Sequence, residues 1–337
     1  MELLNYKQKL KNLEGKVIAI VYTFTGDTLS KYYDAWKADV LSDWIRGVYD
    51  IKCIPLVMDF ETFAFKAFNN TLPKIDYVIN LNNGNVDLSS LGLLPSICSY
   101  LNLPCIPNNS EVLIIGENKF IANALAQSAG LKIPKYLNDD DPSGIIRPIN
   151  YGSSKGIHRG NIKNNIRDLH QEFIAGFDMT MSFMYNPINN KLCFVSALMY
   201  LPDNFDINWY LGEEEKEKRN SYSKIPVRIN ESFYKRLEKI VNEVFAINTL
   251  CRIDTRVKCN SNEELLYFKD HEVDSERVHF LEINPLPTIK ENVNFTDTIL
   301  NTDDLNDFKL CLNEFQKYSS SQNTTGFILS CILLSNI

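Results

Sequence analysis

The chain has 337 residues, is 45% hydrophobic and carries 42 acidic against 35 basic side chains. That apolar share can offset the entropy of ordering a large core, so disorder is excluded, and 14 glycines and 13 prolines exclude fibrous and low-complexity chains. A net charge of −7 excludes a broad nucleic-acid surface, and no apolar stretch is long enough to cross a bilayer, so a soluble cytoplasmic protein of two or three sub-domains is expected.

The first third alternates strands with helices. Residues 16–22 (KVIAIVY) form a short β-branched apolar run, as expected of a strand covered on both faces. A polar turn at 23–27 and a helical stretch at 29–49 follow. Strands are predicted at 51–57, 77–81 and 103–107, with a helix over 87–101. This alternation implies a parallel sheet with right-handed crossovers, and a ligand at the carboxyl ends of its strands.

The pattern resets near Ser110. A helix spans 119–130 and ends on a glycine, and a strand at 145–149 enters a glycine loop. Phe173 and Ile174 are assigned to a further strand, and 179–185 to the next. A charge run over 212–219 precedes an amphipathic helix at 231–246 and two strands at 251–257 and 278–283. The tail adds a helix near 305–317 and an apolar end from Gly326. The domains expected are 1–109, 110–176 and 177–337.

Eight cysteines show no CxxC pair and read as reduced, mostly buried thiols. Chemistry concentrates in three segments. In Cys251-Arg252-Ile253-Asp254 and Leu281-Glu282-Ile283-Asn284-Pro285, strand alternation puts Arg252 with Asp254, and Glu282 with Asn284, on single faces. Antiparallel pairing would gather two carboxylates and an amide oxygen, a hard-oxygen set suited to Mg²⁺; two edge strands with solvated faces are the alternative. The loop after Arg147-Pro148 (INYGSSKGI) can bring backbone N–H groups close to phosphate, or be an ordinary turn. Gln171 to Asp178 (QEFIAGFD) can present backbone groups to adenine and an acid to ribose, or be a routine strand and turn.

Taken in order, the helix carrying Lys119, RPxxxGSSKGI, QEFIAGFD, CRID and LEINPLP resemble the ATP-grasp fold, specifically its D-alanine–D-alanine ligase branch, over roughly residues 75–295. The resemblance implies an α/β fold, α+β in its ATP-grasp part, with a parallel-sheet N-terminal domain and ATP between the central and C-terminal domains. It implies that Lys119 and Arg147 hold the ATP phosphates, Arg147 standing where the family usually has lysine. Ser153 and Ser154 would lie in the loop closing over the phosphates and the acyl group. Gln171, Glu172, Phe173 and Ile174 would form the adenine hinge, with Asp178 as the ribose acid. Asp254, Glu282 and Asn284 would ligate two Mg²⁺, or Mn²⁺ as a substitute, and Arg252 would face the γ-phosphate. Ser153 and Arg252 are the catalytic candidates. Lys216 is the expected lid lysine, with Lys218 and Lys224 as alternatives.

The implied reaction joins a carboxylate to an amine through an acyl phosphate. The amino-acid pockets depart from the family. Tyr22 to Asp27 replaces its glycine-rich, glutamate-containing loop, Asn82-Asn83-Gly84 its histidine–glycine pair, and Glu217 its lid tyrosine; proline follows Asn284 where the family has glycine. A specialised ligase for amino-acid-like small molecules is therefore expected. A non-catalytic nucleotide sensor or scaffold, and a true D-alanine–D-alanine ligase with divergent loops, are the alternatives. The resemblance also implies a homodimer.

Overall fold

The computed structural model describes residues 8–9, 11–22, 53–82, 90–152, 154–218, 221–287, 289 and 324–335. The expected turn at 23–27, the helices at 29–49 and 305–317, Asn83, Gly84, Ser153 and the side chain of Glu217 lie outside them.

The described residues form three sheets. The first is parallel, in the order β2-β1-β3-β4, from β1 (Val17–Tyr22), β2 (Ile54–Asp59), β3 (Tyr77–Leu81) and β4 (Cys105–Ile106). The apolar run in β1 has a direct cause. Ala19 and Val21 pack on Phe63 of α1 (Phe60–Phe68) and on Leu94 and Cys98 of α2 (Leu93–Tyr100). Ile18 and Ile20 face the other way, into a cluster with Phe327 and Leu333 of the apolar helix Thr324–Leu334. α1 is an element the sequence reading lacks; Asp59 caps it by accepting from Thr62 N at 2.7 Å.

The second sheet is small and antiparallel, in the order β6-β5-β7. It comprises β5 (Ile145–Arg147), β6 (His158–Arg159) and β7 (Leu169–Gln171). Helices α3 (Ser110–Glu117) and α4 (Lys119–Ser128), capped by the side chains of Asn109 and Asn118, send Val112, Ala122 and Ala126 instead into the core of the third sheet.

The third sheet is antiparallel, in the order β10-β9-β8-β11-β12. It holds β8 (Gly176–Asn186), β9 (Lys191–Pro202), β10 (Tyr222–Val227), β11 (Leu250–Lys258) and β12 (Val278–Asn284). α5 (Glu213–Lys218), α6 (Glu231–Glu243) and α7 (Asn262–Asp270) complete it. Phe233, Leu237, Ile240 and Val241, one face of α6, pack into its core with Phe183, Ile253 and Phe280.

One expectation is corrected and one alternative falls. Phe173 and Ile174 are not in a strand; they span the gap between β7 and β8. β11 is no edge strand, because β8 and β12 flank it on both sides. The gap is held open at Gly176, where φ is +147° and an added Cβ would lie 1.8 Å from Val257 O, so only glycine fits. Among the described residues no helix is long and apolar enough to cross a membrane, and no disulfide joins the described cysteines.

Candidate active site

β11 and β12 pair antiparallel, with Asp254 opposite Glu282 and Arg252 opposite Asn284. A bulge follows Asp254: Thr255 pairs with Phe280, leaving Leu281 as the extra residue. Both Leu281 and Glu282 consequently line the cavity above this ladder. Ile145, Phe173, Ile174 and Met179 form much of its apolar lining, while Arg147, Lys216, Arg252 and Asp254 form a polar part.

Glu282 is the electrostatic centre. Its Oε2 lies 3.2 Å from Lys119 Nζ and 3.4 Å from Arg147 Nη2. Burial alone would raise the Glu282 pKa, but Lys119, Arg147, Lys216 and Arg252 overcome this and hold it at about 2. Burial shifts the opposite way for the cations: Lys119, Arg147 and Lys216 are all lowered by it, with Glu282 resisting. Asp254 is gripped by Arg252 through Nε–Oδ1 at 2.8 Å and Nη2–Oδ2 at 2.7 Å, and accepts a third bond from Thr180 Oγ1 at 2.7 Å.

The glycine loop is tied to α4 twice. Lys119 N donates to Ile149 O at 3.0 Å and Lys119 Nζ to Tyr151 O at 2.5 Å. Arg147 is oriented from behind: its Nη1 donates to Gln171 Oε1 and to Leu281 O, both at 3.2 Å, while Gln171 Nε2 donates to Pro134 O. At the far end, Leu211 is held through both backbone groups. Its N–H donates to Asp178 Oδ2 at 2.7 Å, and its carbonyl accepts from Ser154 Oγ at 2.8 Å.

Arg147, Ser154, Gln171, Glu172, Phe173, Ile174, Asp178, Lys216, Arg252, Asp254 and Glu282 thus surround one cavity. Lys119 reaches Glu282 without lining it, and Asn284 sits beside it with Oδ1 accepting from Leu286 N at 3.0 Å. Gln171, assigned to the hinge, spends its buried side chain on Arg147 and Pro134. Glu172 exchanges bonds with Lys135. Lys218 pairs with Glu214 on the exposed side of α5. His158 faces the carbonyls of Gly156 and Ile162.

Arg256, Tyr200, Tyr210 and Leu211 line the cavity but were missed from sequence. Arg256 had a signal, since it continues the two-residue alternation of Arg252 and Asp254. Tyr210 and Leu211 had none: the β9–β10 connection delivers them from far along the chain.

Five cations (Lys119, Arg147, Lys216, Arg252 and Arg256) face four carboxylates (Glu172, Asp178, Asp254 and Glu282) in and around the cavity, and Glu172 accepts from Lys135 N. Such an excess of buried positive charge suits a polyanionic ligand. Among the described residues no three His, Cys, Asp or Glu side chains form a metal cage. Two opposed carboxylates and a nearby amide still fit Mg²⁺, which needs few protein ligands when phosphates and water supply the rest.

No protein-family model matches the chain, and no curated protein sequence matches it. The fold is nevertheless clear: it is the ATP-grasp fold as found in D-alanine–D-alanine ligases. The VanG D-Ala:D-Ser ligase from Enterococcus faecalis superposes with a TM-score of 0.58 and 15% identity, over 94% of this chain and 99% of that one. D-alanyl-alanine synthetase A from Vibrio cholerae O1 biovar eltor gives 0.59 and 12%, over 91% and 99%. The D-alanine–D-alanine ligase from Bacillus anthracis complexed with ATP gives 0.56 and 12%, over 90% and 97%.

Proposed function

We propose that this chain is an ATP- and Mg²⁺-dependent carboxylate–amine ligase that joins amino-acid-like substrates through an acyl phosphate. One observation carries the reading: Asp254 and Glu282 oppose each other on neighbouring strands, ringed by Lys119, Arg147, Lys216 and Arg252. In this reading Lys119, Arg147 and Lys216 bind the triphosphate, and Phe173, Ile174, Met179 and Leu281 enclose the base. Arg252 offsets charge on the phosphoryl group as it passes to the substrate carboxylate, and then on the tetrahedral oxyanion formed by amine attack. Asp254, Glu282 and Asn284 would hold Mg²⁺, which when bound neutralises phosphate charge and fixes phosphate geometry. Ser154 and Leu211, bridged across the cavity, exclude the water that would hydrolyse an acyl phosphate.

The substrates are proposed to differ from those of cell-wall ligases. Buried Asn82 follows β3 and opens the Asn82-Asn83-Gly84 run that stands where the resemblance would put a histidine–glycine pair, and its N donates to Asn80 Oδ1 at 2.9 Å. Carboxamides there offer neutral donors and acceptors rather than a titrating ring. The proposed domain boundaries fall after residues 109 and 176.

Phosphate release from ATP and Mg²⁺, measured against L- and D-amino acids singly and in pairs with product masses recorded, tests the proposal. Pair-dependent release with a condensed product supports it. ATP binding without release by any pair would favour a nucleotide sensor, and no ATP binding would end the reading.

A further inference from the structure

Arg256 is 3% exposed, and its guanidinium joins separate segments of the cavity wall. Nε donates to Ile174 O at 2.8 Å, in the link between β7 and β8. Nη2 donates to Ile207 O at 3.1 Å and Trp209 O at 2.6 Å, in the loop that leads to Tyr210, Leu211 and then α5. Nη1 lies 3.1 Å from Asp178 Oδ2, an ion pair that lacks hydrogen-bond alignment, and the same oxygen accepts from Leu211 N. The guanidinium carbon also stands 5.1 Å from the Phe173 ring, which Arg159 approaches to 3.7 Å and Tyr210 meets edge-on at 6.1 Å.

These contacts fall on the apolar end of the cavity, away from the Glu282 cluster of Lys119 and Arg147. A planar fork with five donors can hold three carbonyls and a carboxylate at once, which a lysine ammonium cannot. We infer that Arg256 is a positioning residue for the base and ribose end of the nucleotide. It holds Phe173, Tyr210 and Leu211 as preformed walls and leaves phosphate binding to Lys119, Arg147 and Lys216. The inference rests on the nucleotide reading of the cavity and goes beyond it, because it divides the site into two ends with separate determinants.

The test compares ATP with inorganic tripolyphosphate, which carries the phosphates without base or ribose, by calorimetric titration of the full chain and its Arg256→Met and Arg256→Lys variants. Arg256→Met should weaken ATP by about tenfold or more while tripolyphosphate stays within about twofold. Arg256→Lys should recover part of the ATP affinity by keeping the Asp178 pair. Equal losses for both ligands, or unchanged ATP affinity in Arg256→Met, would overturn the assignment. Should Arg256→Met not fold, the same selective loss is read from Arg256→Lys, whose charge still compensates Asp178. Wild-type protein that binds tripolyphosphate but not ATP would sink the nucleotide reading itself, a result separate from failure of the variants.

Discussion

Arg252 holds both oxygens of Asp254 in a side-on pair, at 2.8 and 2.7 Å, although the two residues lie on the same strand only two positions apart. Strand alternation makes this possible, and the two charge-assisted bonds fix the orientation of the Asp254 carboxylate at the edge of the cavity. Burial pulls the Arg252 pKa down, but Asp254 outweighs it and the guanidinium stays charged.

Asp254→Asn and Glu282→Gln should each lower ATP turnover by about a hundredfold or more. Their stabilities should differ. Asp254→Asn leaves Arg252 near Glu282, whereas Glu282→Gln strips the shared counter-ion from buried Lys119 and Arg147. Turnover in either variant close to wild type would refute the metal assignment.

Acid should expose the same group. The Glu282 carboxyl is lowered from 4.5 to about 2 in the fold, so its stabilisation is complete above pH 4.5 and fades as pH falls towards 2. Urea unfolding of wild type and Glu282→Gln should therefore differ most near neutral pH and converge as pH approaches 2.

Glu117 should act with the opposite sign. Burial raises its carboxyl from 4.5 to about 7 at the end of α3, so the fold favours the protonated form. Its contribution to stability declines as pH rises from 4.5 through 7. Glu117→Gln should raise the melting midpoint at pH about 8 and change it little near pH 4. An equal gain at both pH values would show that charge is not the cause.

Gly176→Ala should cost about 3 kcal/mol or more, because the methyl would overlap Val257 O between β8 and β11. Gly152→Ala, with nothing within 4 Å of its added Cβ, is the control and should leave the melting midpoint nearly unchanged. Comparable losses in both would contradict the packing around Gly176.

Ser154→Ala removes the bond from the glycine loop to Leu211 O, worth about 1 kcal/mol. The apparent KM for ATP should rise about fivefold with little change in melting midpoint. An unchanged KM would mean that this bridge does not help close the site.

The residues legible in the sequence sit where local rules decide their direction. Arg252, Asp254, Glu282 and Asn284 lie on regular strands whose two-residue period sets the face, and antiparallel pairing was the one further assumption. The glycine loop was legible because small residues permit a close backbone approach there. For Gln171, its place in the hinge segment said nothing of Arg147, which pairing of β5 with β7 brings to its side-chain amide.

By itself, then, the sequence determined the alternating first layer, the acid pair on its ladder and the order of the segments proposed to bind phosphate. All of these follow from periodicity and residue chemistry within a few positions. Only the tertiary structure decided that Lys119 and Arg147 converge on Glu282, that a bulge turns Leu281 into the cavity, and that Arg256 binds the hinge to the 207–211 loop. Those contacts join residues as many as 163 positions apart, between Lys119 and Glu282. They exist because buried charges must find partners wherever strand order places them, and strand order is set by the packing of the whole core.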